Sequence, residues 1–323
     1  MFTSKDLEYR SIYVINCIES RDLRVSNGEL LLEDTNEKKT LTKLPFQKIL
    51  ALFIIGHIRI TTPLIEKCKA NNVALVVTKT TLRPVFFWAS AAEANFLLRK
   101  QQFAMADDNI SIAKRLVENK IRNQLSNLMK TRRKDNDTFK AINYCKYCLD
   151  GVIDECDTLT ELMALEGRVA KVFFHAYFQD FEWNGRKPRT KCDFINSTLD
   201  IGYTHLFNFI ECFIRMFGFD VYIGVYHRLW FKRKSLVCDL VEPFRCIVDN
   251  AIRTGINRNQ IKETDFALIK GEYRLKIDKN KDYNKLFFEA LIPYKLQIFK
   301  YIQQYYRAFM QQKNIKLYPL FEV

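Results

Sequence analysis

Three acidic residues and one histidine in this 323-residue chain have spacings that suit phosphoryl or metal chemistry. Asp239 and Glu242 lie three apart in Ser235-Leu236-Val237-Cys238-Asp239-Leu240-Val241-Glu242-Pro243-Phe244-Arg245. On a helix both carboxylates share one face, and Leu236, Leu240 and Phe244 form another. Two like charges side by side repel unless something positive lies between them, and either Arg245 or a divalent ion would serve. Pro243 removes a backbone donor, so the helix should bend beside Glu242. Glu166, in Leu162-Met163-Ala164-Leu165-Glu166-Gly167-Arg168-Val169-Ala170-Lys171-Val172-Phe173, shares a helical face with Ala170, Phe173 and Tyr177. A carboxylate there must be paired, protonated or bound to a metal, and a salt bridge to a nearby Lys or Arg is the plainer reading. His227 follows the loop from Gly218 to Gly224 and precedes Arg228, Lys232, Arg233 and Lys234. Lone histidines are more often structural than ligands. A neutral imidazole just upstream of paired carboxylates, however, suits a site for Mn²⁺ or a similar ion.

The elements that must position these groups follow from hydrophobic periodicity. Ser11 to Ile18, Val73 to Thr78 and Val85 to Trp88 are compact apolar runs of strand type, and Leu23 to Leu32 holds a hairpin turn at Ser26-Asn27-Gly28. Thr62 to Asn71 reads as one short helix with Leu64, Ile65 and Cys68 inward. Beyond Trp88 the patterns are helical: Ala89–Ala106, Asn109–Met129 with Ile112, Leu116, Ile121, Leu125 and Leu128 in one stripe, then Asp154–Phe178, Phe194–Phe217, Ser235–Arg253 and Asp282–Gln311. Phe173, Phe174, Phe207, Phe209 and Phe213 belong to the core by this spacing, and His57 and His205 are structural. The expected fold is α+β: a small N-terminal β-rich domain, residues 1–88, then a larger all-α domain, residues 89–323.

Composition agrees with that class. Apolar residues make up 48% and charged residues 27%, which excludes disorder, while only 10 Gly and 7 Pro argue for much helix. The net charge of +14 makes a polyanion the first partner to test. Residues 1–90 hold 13 basic and 9 acidic side chains against 38 and 28 in the remainder, so most of the excess lies in the helical part. Lys130-Thr131-Arg132-Arg133-Lys134, Arg186-Lys187-Pro188-Arg189-Thr190-Lys191 and Lys232-Arg233-Lys234 are each a candidate duplex phosphate path or a solvated face. An odd count of nine cysteines with no secretory signal favours free thiols in a reducing cytoplasm. Cys145-Lys146-Tyr147-Cys148, with Cys156 downstream, lacks a second pair for zinc and reads as helical thiols. The longest apolar stretch, Ile49 to Ile58, is about half a membrane span, so no membrane is expected.

Four ordered blocks carry a resemblance. They are Ala164-Leu165-Glu166-Gly167-Arg168-Val169-Ala170; Asn196 with Tyr203; Gly218-Phe219-Asp220 to Gly224-Val225-Tyr226-His227; and Ser235 to Arg245. Together they resemble the CRISPR-associated spacer-acquisition integrase and endonuclease family (Cas-one), most strongly from about residue 160 to 253. The resemblance implies that Glu166, His227 and Glu242 bind a catalytic Mn²⁺ or Mg²⁺, with Asp239 supporting the site. Some members place an aspartate where this chain has Glu242. Val221 and Cys246 stand where proline is common, which bears on local loop shape and touches no ligand. The family's activity is insertion of short duplex spacers into a CRISPR array, a spacer 3′-hydroxyl attacking a phosphodiester at the repeat border. Its members act as homodimers, two of which flank a dimer of a small ferredoxin-like partner (Cas-two). The DNA contacts expected here are Arg132, Arg133, Lys134, Arg186, Lys187, Arg189, Asn196, Tyr203, Arg228, Lys232, Arg233, Lys234 and Arg245. The alternatives are a non-catalytic DNA-binding subunit, against which the intact Glu166, His227 and Glu242 speak, and a general nuclease of branched DNA.

Overall fold

A computed structural model describes residues 4–17, 21–89, 95–105, 110–132, 134–181, 183–227 and 229–323. A short helix, α1 (Ser4–Tyr9), precedes strands β1 (Ser11–Cys17), β2 (Arg21–Ser26), β3 (Glu29–Asp34), β4 (Lys39–Pro45) and β5 (Ile49–Gly56). Helix α2 (Thr62–Ala70) and strands β6 (Ala74–Thr78) and β7 (Pro84–Trp88) complete the β-rich part. One sheet runs β1-β5-β6-β7, parallel except for the β6–β7 pair, and the other is the antiparallel meander β2-β3-β4. Asn27 and Gly28, at φ +50° and +78°, form the two-residue turn between β2 and β3, the left-handed pair that matches strand twist. The apolar run from Ile49 is the interior strand β5. Its continuous hydrophobicity reflects burial on both faces. Ala51, Phe53 and Ile55 join the large core shared with the helices, while Leu52 and Ile54 pack with Leu23, Leu30, Leu64 and Cys68.

The second part contains α3 (Phe96–Met105), α4 (Ile110–Met129), α5 (Asn136–Tyr147), α6 (Leu159–Tyr177), α7 (Phe194–Met216), α8 (Ser235–Val241), α9 (Arg245–Asn257), α10 (Asn280–Leu291) and α11 (Lys295–Met310). It is mostly helical, with one hairpin, β8 (Phe266–Ile269) and β9 (Glu272–Leu275), turned by Lys270 and Gly271 at positive φ. Helix α6 starts at Leu159, five residues later than the periodicity suggests, because Thr158 and Glu161 close a capping box there. Helix α5, capped by the Asp135 side chain, carries Cys145 as the expected helical thiol and begins nine residues before it. The aromatic tail is two helices, parted by a turn around Pro293. Among the described residues no helix is long and apolar enough to cross a membrane.

Helix α7 is the axis of the molecule, buried along nearly its whole length. Phe53 of β5 stacks on its Phe209 at 6.0 Å and meets Phe288 of α10 edge-on at 5.2 Å. Asn208 donates to the Leu82 carbonyl at 2.9 Å, and Asn284 donates to the Asn16 side chain at 2.9 Å, so polar ties also cross from sheet to helices. His205 is structural as expected: its ring lies between the Ile201 carbonyl (3.0 Å) and Asn284 (2.9 Å), and burial pushes its pKa down to about 4. His57 is different, standing exposed at the end of β5. All nine cysteines are unbridged, Cys145, Cys148 and Cys156 among them buried.

Candidate active site

The site is assembled where α4, α6 and the turn between α8 and α9 meet. Pro243 breaks the expected single helix into α8, a 3-10 turn over Glu242–Phe244, and α9. The break is held from α4 by asparagines spaced four apart. Asn123 donates to the Pro243 carbonyl at 3.0 Å and Asn127 to the Cys246 carbonyl at 2.9 Å. Asn119 exchanges two hydrogen bonds with the Phe321 backbone, 2.7 and 2.8 Å, which seats the C-terminal tail on the same helix. Buried amides that satisfy carbonyls freed at a helix break fix its geometry, and here they fix the direction of Glu242.

Lys120 of α4 stands among these asparagines. Its ammonium lies between two carboxylates, hydrogen-bonded to Glu166 Oε1 and 2.7 Å from Glu242 Oε2. Arg245 forks onto Glu242 from one helical turn away, Nε to Oε2 at 2.8 Å and Nη2 to Oε1 at 2.9 Å. The second oxygen of Glu166 accepts from the Tyr226 hydroxyl. Burial alone would raise the pKa of Glu242, but Arg245 and Lys120 outweigh it and hold the carboxyl down at about 2. Burial pulls Lys120 the other way, and Glu166 and Glu242 reverse that to a net rise. Both partners are therefore ionised at neutral pH, the buried core of a cluster that the partly exposed Glu166 and Arg245 complete.

The other acidic residue has a different task. Asp239 is wholly buried and turned to the loop before His227. Its Oδ2 accepts the Val225 and Tyr226 amides at 2.6 and 3.1 Å, and its Oδ1 accepts the His227 amide at 2.8 Å. Oδ1 also lies 2.8 Å from His227 Nδ1. That bond fixes the orientation of the ring through Nδ1. The loop itself is braced from α3, where buried Gln102 bonds to both the amide and the carbonyl of Asp220 at 2.9 Å. Among the described residues no three His, Cys, Asp or Glu side chains converge on one point. Glu166 and Glu242 converge instead on the Lys120 ammonium.

A cleft of about 790 Å³ opens over this cluster, with Lys120, Glu166, His227, Glu242 and Arg245 on its wall. Of the expected DNA contacts, Arg186, Arg189, Tyr203 and Arg245 also line it, together with Lys191. Arg189 and Lys191 have φ of +65° and +48°, left-handed backbone that marks the tight turns of this loop. Tyr203 lies under Arg245 (4.5 Å) and Arg186 (5.6 Å). Asn196 is buried and structural: its Oδ1 accepts from Arg186 at 3.1 Å and from the Lys187 amide at 2.8 Å, which places the basic loop. Lys234 is engaged by the buried Glu211 at 2.6 Å, whereas Lys232 is exposed. Arg132, Lys134 and Lys187 are exposed and do not line the cleft. Arg133 and Arg228 lie outside the described residues.

Asp249 on α9 also lines the cleft, and no spacing pattern singles it out. It accepts the Tyr203 hydroxyl at 2.5 Å. Burial raises its pKa to about 7 against the pull of that hydrogen bond and Arg245. The folded chain thus holds a proton there that the unfolded chain releases near pH 4. The stability this gives is complete below that pH and is lost as pH rises through about 7, a change on the order of a few kcal/mol. Asp249→Asn is expected to flatten the fall of melting temperature between pH 5 and 8, relative to wild type. Parallel curves for the two chains would show that Asp249 ionises freely.

Two sheets and a helical bundle thus carry a cleft, lined by several Arg and Lys side chains, over two carboxylates and an oriented imidazole. The family model described as CRISPR associated protein Cas1 matches residues 16–289, and the chain belongs to that family. A CRISPR-associated endonuclease Cas1 of Rhodospirillum rubrum is 26% identical over 278 residues, spanning 81% of this chain and 80% of the relative. Among solved structures, a casposase bound to integration product superposes with a TM-score of 0.74 at 18% identity, over 97% of this chain and 94% of that one. A chain of a Cas6-RT-Cas1–Cas2 complex superposes at 0.77 with 20% identity over 97% of this chain, which spans 36% of that much longer one.

Proposed function

We propose that the chain is a metal-dependent DNA integrase and endonuclease of CRISPR adaptation, joining a spacer 3′-hydroxyl to a phosphodiester at the repeat border. The observation that carries this reading is the convergence of Glu166 and Glu242 on a single positive charge at the floor of a basic cleft, beside an imidazole that Asp239 holds by Nδ1. Two carboxylates and one neutral imidazole are donors suited to Mn²⁺ or Mg²⁺. Glu166, Glu242 and His227 Nε2 would hold the ion, which supplies charge stabilisation for the phosphate and leaving oxygens. Arg189 and Lys191 along the cleft bind and align the sugar-phosphate backbone, while Arg186 and Arg245, already paired with Asp200 and Glu242, shape its wall. Tyr203 and Asn196 act behind them by seating two of those arginines.

The likeness to a casposase bound to integration product, to a TtCas1–DNA complex and to a complex containing Cas2 supports DNA as substrate and Cas2 as partner. Homodimers, two of them bridged by a Cas2 dimer, complete the proposal. The test is integration of a labelled duplex into a repeat-bearing plasmid, with and without Cas2 and Mn²⁺. Strand transfer that requires Mn²⁺ and stops with EDTA is expected, and joining that persists in EDTA would remove the metal from the reading. Hydrolysis outpacing strand transfer would favour a general nuclease of branched DNA.

Duplex affinity should fall steeply with salt. Neutralising Arg189, Lys191 and Lys232 together is expected to reduce the slope of log K against log salt by roughly 2 to 3, about one released counterion each. Lys234 is left out of that set because its charge already belongs to Glu211. An unchanged slope would move the DNA path away from this cleft.

A further inference from the structure

The cluster is already electrically complete. Glu166 and Glu242 carry two negative charges, and Lys120 and Arg245 carry two positive ones within hydrogen-bond reach. A divalent ion added to this set would sit beside two cations, so one of them has to yield. Arg245 is pinned twice, by its fork on Glu242 and by the face of Tyr203 at 4.5 Å. Lys120 presents a point charge on a flexible four-carbon stem with no such fork. It also borders the open cleft, which offers room for its displaced end.

We propose that Lys120 is the site's internal counter-ion, a resident cation that a divalent metal must displace from Glu166 and Glu242. This rests on the metal reading above. In the metal-free protein Lys120 prevents repulsion between the buried Glu242 and the partly exposed Glu166 and keeps them pointed at one position. The same contact lowers metal affinity, because loading the ion requires the ammonium to be released into the cleft. Lys120 is then a positioning residue that sets the metal concentration at which the site becomes active.

The test titrates Mn²⁺ into the full-length wild type and into Lys120→Met, which keeps the apolar stem and removes the charge. Lys120→Met is expected to bind Mn²⁺ more tightly by about tenfold or more, the scale of one adjacent unit charge. It should also melt lower without metal and gain more from Mn²⁺. A second measurement needs no variant: Lys120 of the wild type should react faster with an acylating reagent, read by mass spectrometry, when Mn²⁺ is present. If Lys120→Met does not fold, the labelling decides. Wild type that binds Mn²⁺, with equal affinity in the variant or unchanged labelling of Lys120, overturns the displacement and leaves the metal reading standing. Wild type that binds no Mn²⁺ overturns both.

Discussion

Glu242→Gln is expected to lose strand transfer by about a thousandfold or more, the effect of several kcal/mol of charge stabilisation removed from a phosphoryl reaction. The substitution preserves shape and volume at a side chain only 2% exposed, so packing is nearly unchanged. What it removes is one of the two anions that converge on the cation position, and Arg245 and Lys120 are left with Glu166 alone. Excess Mn²⁺ should restore little, since a neutral amide oxygen is a poor substitute for a carboxylate among two remaining cations. Asp239→Asn fails for another reason. Its carboxylate accepts three backbone amides and the His227 ring, and an asparagine turns an NH₂ group toward some of those donors. Each buried donor left without an acceptor costs about 1–3 kcal/mol, so this variant should melt at a lower temperature. Its strand transfer should fall by about 10- to 100-fold through a loosened His227, and excess Mn²⁺ should restore part of it. Metal titrations of rate and melting curves on both chains separate the roles. A Glu242→Gln chain that transfers strands at the wild-type rate would make Glu242 no more than the partner of Arg245.

The parts of the site legible in the sequence were those expressed as local spacing. Asp239 and Glu242 read as a pair, and Pro243 as a break just beyond them, because a few neighbouring residues on one helix determine all three. That the two carboxylates then face different neighbours was not legible: Asp239 is committed to a loop twelve to fourteen residues earlier, and Glu242 to α4 more than a hundred residues away. Glu166 was read as either a metal ligand or one half of a salt bridge, and Lys120 shows the second arrangement directly. Lys120 does carry a signal in the sequence. Asn119, Lys120, Asn123, Gln124 and Asn127 are polar residues on a helix whose stripe is otherwise apolar, and all five are buried. Such a run inside a core is rarely tolerated without partners, so it marks the helix as one that braces a site. The fold shows the same division. The hairpin at Asn27-Gly28 and the long helices follow from turn chemistry and periodicity. The pairing of β5 between β1 and β6, and the small hairpin β8–β9, depend on non-local partners.

Gly224→Ala is expected to be among the most damaging single-methyl changes in the chain. A Cβ built on Gly224 would lie 2.4 Å from Asp239 Oδ2, 2.8 Å from the Ser235 carbonyl carbon and 2.9 Å from the Leu236 amide nitrogen. Two of these three atoms are backbone at the start of α8, so no side-chain rotation relieves the contact. The loop is meanwhile tied to that helix by the Leu236 amide, which donates to the Val221 carbonyl at 3.1 Å. Loop and helix must therefore move apart. The first bonds to stretch are those from Asp239 to the Val225, Tyr226 and His227 amides, which start one residue beyond the new methyl. Overpacking of this kind costs about 1–3 kcal/mol, and each freed buried donor adds to it. The functional loss should exceed what the stability loss explains. A displacement of about 1 Å at a positioned group is enough for a hundredfold fall in rate, and His227 is displaced together with its orienting carboxylate. Strand transfer should accordingly drop by about a hundredfold or more at a temperature where the Gly224→Ala chain is still folded by circular dichroism. Duplex binding should persist, since Arg189 and Lys191 are carried by a separate loop. Wild-type melting and wild-type strand transfer in this chain would mean that the loop bearing His227 is not held against α8 by Asp239, and the site would have to be rebuilt without it.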